Sequence, residues 1–251
     1  MSALKVTDLV VKRLGLPVVR QASLVVEPGS VSVLLGANGA GKTTLLEGLS
    51  GVAPIAGGAI ELEGEAIHSM SPSVRARRGL AHVEQGRTVF RTLTTDENLR
   101  AVSQRADVDW AYELFPELAK RRHVRAGLLS GGEQQMLVIA RALLMRPKTI
   151  MIDEMSAGLA PIIVGRLMVA VRRLADDGLA VLLVEQFAAL ALSIGDRAYV
   201  LRRGQIVYEG PCPALAQSPD LLHRLYLGDS AASDVSLTLG GFPLEQGVPN
   251  A

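Results

Sequence analysis

Aromatic side chains are scarce in this chain: Phe, Tyr and Trp make up 4% of its 251 residues, and none occurs before Phe90. Cysteine occurs once, as Cys212 between Pro211 and Pro213, which excludes an internal disulfide and fits a reducing compartment. In that setting it reads as a passive loop residue rather than a reactive thiol. An excess of either charge is missing too. Lys plus Arg number 26 against 25 for Asp plus Glu, and a net charge of +1 gives no whole-chain case for a nucleic-acid partner. The start Met1-Ser2-Ala3-Leu4-Lys5 lacks the long apolar stretch of a secretory signal. The closest approach to a membrane span, Gly178 to Gly195, is interrupted by Glu185 and Gln186, whereas a span needs about 20 mainly apolar residues. It reads instead as a buried strand, Leu179–Val184, followed by an apolar helix, Phe187–Ile194. The histidines, at 68, 82, 123 and 223, lack metal-ligand spacing and read as solvated or packing residues.

What the chain does have is apolar content, 49%, enough for a substantial core, and glycine placed where backbone must approach a ligand. Gly36-Ala37-Asn38-Gly39-Ala40-Gly41-Lys42-Thr43, with Thr44 directly after, follows the spacing G-x-x-x-x-G-K-[ST] of a phosphate-binding loop. The apolar run Val31–Leu35 before it reads as a buried strand and the run after it as a helix, which is the context this motif requires. The glycines allow positive φ and close backbone approach, so successive amide N–H groups can wrap phosphates, and the helix dipole points at the same anion. Lys42 would reach the β- and γ-phosphates and the Thr43 hydroxyl would ligate Mg²⁺.

In chain order, Leu4–Val11 and Ala22–Val26 are expected strands separated by the turn-prone Gly15-Leu16-Pro17. Gly51 to Gly64 reads as a Gly-rich hairpin region with a short strand at Ala59–Glu63. Pro72–Arg78 is expected as a helix and Leu80–Val83 as a strand ending at Glu84-Gln85-Gly86. From Thr94 to about Arg146 the pattern is helical, opening on the capping-box spacing Thr94-x-x-Glu97 of a helix through Gln104, with another helix from Asp109 stopped near Pro116. The basic run Lys120 to Arg125 reads as a solvated face, or as an electrostatic partner site. Strands and helices then alternate: strand Thr149–Ile152, helix Pro161–Ala175, strand Arg197–Leu201, hairpin partner Ile206–Glu209 and a last helix Leu221–Leu227. From Gly228 the composition is that of a flexible tail or a partner-binding extension.

Two further segments give the phosphate loop its meaning. Thr149–Ile152 is an apolar strand that ends in Asp153 and Glu154. A rigid strand tip suits Asp153 to hold the Mg²⁺ of a nucleotide, and Glu154, pointing elsewhere, could polarise an attacking water. The second segment is Leu129-Ser130-Gly131-Gly132-Glu133-Gln134. Ser130 and Glu133 form a capping box for the helix that follows. A capping box alone does not call for two glycines, which cost a helix interior about 1 kcal/mol each. At a helix start they permit a phosphate to approach exposed N–H groups, which makes this a second anion site.

Together these segments resemble the signature set of ABC-type ATPases over roughly residues 4–228. The resemblance implies an α/β fold: a P-loop NTPase core at 1–86 and 147–228 with an N-terminal antiparallel β subdomain, an inserted α-helical subdomain at 87–146, and a tail at 229–251. It implies ATP and Mg²⁺ as cofactors. It places a coupling glutamine at Gln85, joining Mg²⁺ or the lytic water, and a head-to-tail dimer with ATP between one chain's phosphate loop and Ser130-Gly131-Gly132-Glu133 of the other. Leu34–Lys42, Gly86–Phe90, Arg125-Ala126-Gly127, Gly158-Leu159-Ala160-Pro161, Leu183-Val184-Glu185-Gln186 and Tyr226-Leu227-Gly228 resemble branched-chain amino-acid importers of the LivF type, with urea and short-amide importers sharing much of the pattern. The implied partners are a second ATPase, two integral-membrane permease subunits and a substrate-binding protein, with the chain on the cytoplasmic face of the inner membrane.

The chain departs from the general pattern at four places. The switch His of the family is Gln186, which can donate a hydrogen bond to a γ-phosphate but cannot carry a proton. The usual Asp of the following loop is Ala160, and the usual Pro after the catalytic Glu is Met155. The aromatic that stacks on adenine is absent; its place falls near Arg13, whose guanidinium could stack on a base with looser selection. Rival readings are a soluble ABC ATPase acting on DNA or ribosomes, for which the long insertions and basic tails are missing, and a non-hydrolysing regulatory cassette.

Overall fold

The computed structural model describes residues 2–102 and 107–227. Strands β1 (Leu4–Arg13) and β2 (Leu16–Val26) form an antiparallel hairpin, followed by β3 (Val31–Leu35), helix α1 (Lys42–Ser50), β4 (Ile55–Leu62), β5 (Glu65–Ala66), α2 (Pro72–Arg78) and β6 (Leu80–Val83). Among the described residues, only helices occur between β6 and the next strand: α3 (Thr95–Arg100), α4 (Val108–Leu114), α5 (Pro116–Ala119), a 3-10 turn at Ala126–Leu128, and α6 (Gly131–Leu144). The chain then runs β7 (Thr149–Asp153), α7 (Pro161–Asp176), β8 (Ala180–Val184), α8 (Ala188–Ile194), β9 (Arg197–Arg202), β10 (Gln205–Pro211), α9 (Cys212–Ala216) and α10 (Pro219–Leu227).

The strands make two sheets, an antiparallel one ordered β2-β1-β4-β5 and a larger one ordered β10-β9-β3-β8-β7-β6, parallel except for β10. Every residue of β3, β7 and β8 is buried, as expected for parallel strands covered on both faces. Alternation decides which side each residue serves. Val33, Leu35, Ile152 and Leu183 pack with α6 and α7, whereas Leu34, Met151, Leu182 and Val184 pack with Leu45, Leu46 and Leu49 of α1 and the inner face of the antiparallel sheet. The C-terminal ends of β3, β6, β7 and β8 therefore lie side by side, and the chemistry predicted from the sequence sits just beyond them.

Several boundaries differ from the sequence reading for identifiable reasons. The first hairpin is longer at both strands because Leu14 and Gly15, both at positive φ (50° and 81°), turn the chain in two residues. Pro17 is tolerated because β2 is an edge strand. Gly57 and Gly58 lie inside β4 rather than in a loop. A Cβ on Gly58 would stand 2.5 Å from the Asp8 carbonyl oxygen, so the close crossing with β1 requires glycine. Pro116, expected to stop a helix, opens the one-turn α5, and α3 ends at Arg100, its expected extension to Gln104 falling partly outside the described residues. Cys212 is not a loop residue: it opens α9, fully buried, with its thiol pushed up to about 12 by that burial. The basic run is partly engaged, Arg121 with Glu133 and Arg122 with Asp96. The segment 229–251 lies outside the described residues.

Candidate functional site

The phosphate loop is a turn between β3 and α1 whose Gly36, Gly39 and Gly41 all have positive φ (155°, 77° and 108°). Two cross-bonds fix it: Ala40 N–H donates to Ala37 O at 3.1 Å, and Gly204 N–H donates to Ala40 O at 2.9 Å. Gly36 is also a packing requirement, since a Cβ there would stand 2.3 Å from the Leu201 carbonyl oxygen. Gly41 caps α1 with no side-chain bond, so the amides of the first turn have no side-chain partner of their own at this cap. Thr44 is buried behind the loop. Lys42 folds back over it, donating to Gly36 O at 2.8 Å and to Ala37 O at 3.3 Å. Burial pulls the Lys42 ammonium below its usual range, opposed by the carboxylates of Glu154, Asp153 and Glu185.

Asp153, the last residue of β7, is 1% exposed, and neither of its carboxylate oxygens has a hydrogen-bond partner among the described residues. Burial raises its pKa, while the Thr43 hydroxyl and Lys42 beside it act the other way. Thr43 thus lies near this carboxylate without satisfying it. A buried oxygen pair without donors, next to a hydroxyl and a phosphate loop, is the donor set that a hard cation with oxygen preference fits.

Glu154 leaves the strand at φ 47°, a left-handed conformation that is strained for a residue with a Cβ. Its N–H donates to Val184 O at 2.9 Å, extending the β7–β8 ladder by one bond. One carboxylate oxygen accepts from the Gln85 amide at 2.7 Å and the other from the Gln186 amide at 2.7 Å, with Lys42 Nζ at 3.9 Å. Residues 69 and 32 positions away in sequence converge on one carboxylate because β6 and β8 flank β7.

The Ser130 segment forms a complete capping box: Ser130 Oγ accepts from Glu133 N–H at 3.3 Å, and Glu133 accepts from Ser130 N–H at 2.8 Å. Glu133 also accepts from Arg121 at 2.9 Å through its other carboxylate oxygen. Both glycines answer packing as well as access. A Cβ on Gly132 would come within 2.7 Å of the Ile163 side chain on α7, and one on Gly131 within 2.7 Å of the Arg87 guanidinium, which donates to Ala157 O at 2.5 Å. Among the described residues no hydrogen bond or ion pair joins Ser130–Glu133 to Gly36–Thr44 of the same chain. Arg13, at the end of β1, is paired with Glu47 of α1 at 2.9 Å, while its neighbour Leu14 is fully exposed.

The structure describes two departures. Met155 is 1% exposed and part of the larger core, and nothing in the structure explains why it stands there in place of the usual proline. Ala160 caps α7 with no side-chain bond and is followed by Pro161, whose missing N–H needs no partner at that position. Sequence reasoning missed Arg87, and also the buried pair Ser156 and Glu185. A carboxylate ending an otherwise apolar strand was the available signal for Glu185.

A strand-end carboxylate pair beside a phosphate loop defines a P-loop nucleoside triphosphatase. The comparisons with known proteins narrow that class. The family described as ABC transporter matches residues 19–157. The chain is 44% identical over 213 residues to BraG of Pseudomonas aeruginosa, a high-affinity branched-chain amino acid transport ATP-binding protein, covering 82% of this chain and 91% of that one. It is 35% identical over 239 residues to the lipopolysaccharide export system ATP-binding protein LptB of Escherichia coli, covering 91% and 98%. A nucleotide-free ATP-binding cassette from an ABC transporter superposes with a TM-score of 0.80 at 25% identity, over 91% of this chain and all of that one. The chain belongs to the ABC transporter ATP-binding family, as an ATP-hydrolysing subunit. Among the described residues no helix is long and apolar enough to cross a membrane.

Proposed function

We propose that this chain energises an importer of branched-chain amino acids by hydrolysing Mg²⁺-ATP. The observation that carries the hydrolytic reading is the Glu154 carboxylate, held by the Gln85 and Gln186 amides 3.9 Å from Lys42 and one residue beyond the unpartnered Asp153. In this reading the loop amides of Gly36–Thr44 and the Lys42 ammonium bind the phosphates, and Glu154 orients the attacking water. Thr43, Asp153 and Gln85 would hold Mg²⁺, which would neutralise phosphate charge when bound. Gln186 donates a hydrogen bond and carries no proton. Ser130, Gly131 and Gly132, which make no bond to the phosphate loop of their own chain, serve the nucleotide of a second ATPase subunit. Residues 1–86 and 147–228 act as the ATPase core and 87–146 as the helical part that meets the permeases. Two membrane permeases and a substrate-binding protein complete the assembly on the cytoplasmic face of the inner membrane.

The amino-acid cargo is favoured by the higher identity to BraG than to LptB; identifying the permeases that co-purify with the chain tests it. The hydrolytic assignment is tested by Glu154→Gln, which should abolish turnover, keep ATP binding and trap a dimer on ATP. Near-normal turnover in that variant would defeat it.

A further inference from the structure

β7 and β8 stay in register as far as Asp153 and Val184, and the bond from Glu154 N–H to Val184 O is the last rung between them. Beyond it the two chains part, Glu154 turning left-handed and Gln186 leading into α8. Their side chains nevertheless meet at 2.7 Å. Glu185, the residue before Gln186, bridges the gap. Its side chain is wholly buried, and its two carboxylate oxygens accept from Ser156 N–H at 3.1 Å and from Ser156 Oγ–H at 2.6 Å. Its own N–H donates to Leu34 O at 3.4 Å on β3, the strand that carries the phosphate loop.

This is a costly way to tie a loop. All of β8 is apolar and buried, and burial raises the pKa of the Glu185 carboxyl against the hydrogen bonds of Ser156. An apolar residue would continue the core but would leave both Ser156 donors without partners. What the carboxylate adds is a two-point grip, one residue before Gln186 and two after Glu154.

We propose that Glu185 is a positioning residue for ATP hydrolysis: gripping Ser156, it fixes the separation between Gln186 and Glu154 and thereby the direction in which the Glu154 carboxylate is presented. The proposal rests on the assignment of Glu154 as the group that orients the attacking water.

The test uses the full-length chain, with ATP binding and steady-state hydrolysis measured separately. Because small misplacements of a reacting group are expensive, Glu185→Ala should lower kcat by roughly 10- to 100-fold while KM and the ATP dissociation constant stay within about threefold. Glu185→Gln keeps one acceptor for the Ser156 N–H and an amide for its hydroxyl, so it should recover kcat to within about fivefold of the parent. In a Gln186→Ala background, Glu185→Ala should add less than about threefold, because the separation it sets no longer matters. If Glu185→Ala does not fold, Ser156→Ala decides: it deletes one donor and should lower kcat by about 3- to 10-fold at constant KM. Unchanged kcat in the folded variant, a loss matched by weaker ATP binding, or the full loss repeated in the Gln186→Ala background would each overturn the proposal. Glu154→Gln, run in parallel, separates the two claims. If it is inactive while the Glu185 and Ser156 variants turn over normally, only the positioning role fails; if it is active, the parent assignment fails.

Discussion

Asp153→Asn removes a negative charge from a carboxylate whose two oxygens are both buried and without a hydrogen-bond partner among the described residues. In the nucleotide-free protein that group is a liability. A buried polar group left unpaired costs about 1–3 kcal/mol, and more when charged; burial, joined by the charges of Glu154 and Glu47, raises the pKa of Asp153 against the opposing Thr43 and Lys42. Asparagine keeps the shape, drops the charge and brings an amide that can donate to the Thr43 hydroxyl. Lys42 keeps its bonds to Gly36 and Ala37 and its neighbour Glu154, so the loop is not left with a stranded cation. Relief of about 1–3 kcal/mol, at about 2–4 °C per kcal/mol for a chain of this size, raises the melting temperature without nucleotide by roughly 2–12 °C. Under the proposed function the same change deletes a Mg²⁺ ligand. Ligand at a hundredfold over its dissociation constant stabilises the parent by about 2.7 kcal/mol, and the Mg²⁺-dependent part of that increment should vanish. Thermal unfolding of parent and variant, alone, with ATP and EDTA, and with ATP and Mg²⁺, reads both effects. A variant that melts at or below the parent without nucleotide, or that still responds to Mg²⁺, would refute the reasoning.

Three further outcomes are expected. Gly36→Ala places a Cβ 2.3 Å from Leu201 O at a φ of 155°, so it should destabilise the protein by about 2–4 kcal/mol and weaken ATP binding at least about tenfold; co-melting with the parent and normal nucleotide titration would contradict this. Burial holds the His82 imidazole below its ordinary pKa, with Glu84 opposing, and both ring nitrogens lack partners among the described residues. The unfolded chain therefore takes up the proton first as pH falls: stability present above about pH 6.5 is lost below it, by no more than about 1.4 kcal/mol per pH unit. Urea melts across that range should show the slope, and His82→Leu should flatten it; an unchanged slope in the variant would rule His82 out. With Arg13 paired to Glu47 and no aromatic before Phe90, base selection should be loose, and GTP should support turnover within about tenfold of ATP, or about 1.4 kcal/mol; a hundredfold deficit in a direct comparison would reverse this.

Features encoded within a few residues are legible in the sequence alone. The phosphate loop is one short stretch with a strand and a helix at its ends, and the capping boxes Thr94–Glu97 and Ser130–Glu133 are three-residue spacings that the structure reproduces. Boundaries that depend on a distant backbone are not legible in this way. The glycines of β4 look like loop residues until β1 is seen crossing Gly58, and the prolines around Cys212 suggest a loop until α9 packs its thiol into the core.

The site divides along the same line. Glu154 could be named from a strand end and Gln85 and Gln186 from the family resemblance, but that both amides claim the same carboxylate follows only from the order β8-β7-β6, which puts those strand ends side by side. Glu185 shows in the sequence only as a carboxylate ending an apolar strand, and nothing there pairs it with Ser156, 29 residues away, until the parallel register brings the two turns together. The Ser130 segment shows the opposite case. Its local chemistry is complete, every capping bond made, yet among the described residues it makes no bond to the phosphate loop of its own chain. Packing against Arg87 and Ile163 accounts for both glycines within the single chain, so the assignment of Ser130–Gly132 to the nucleotide of a second subunit rests on the family resemblance together with the lack of any bond to its own phosphate loop.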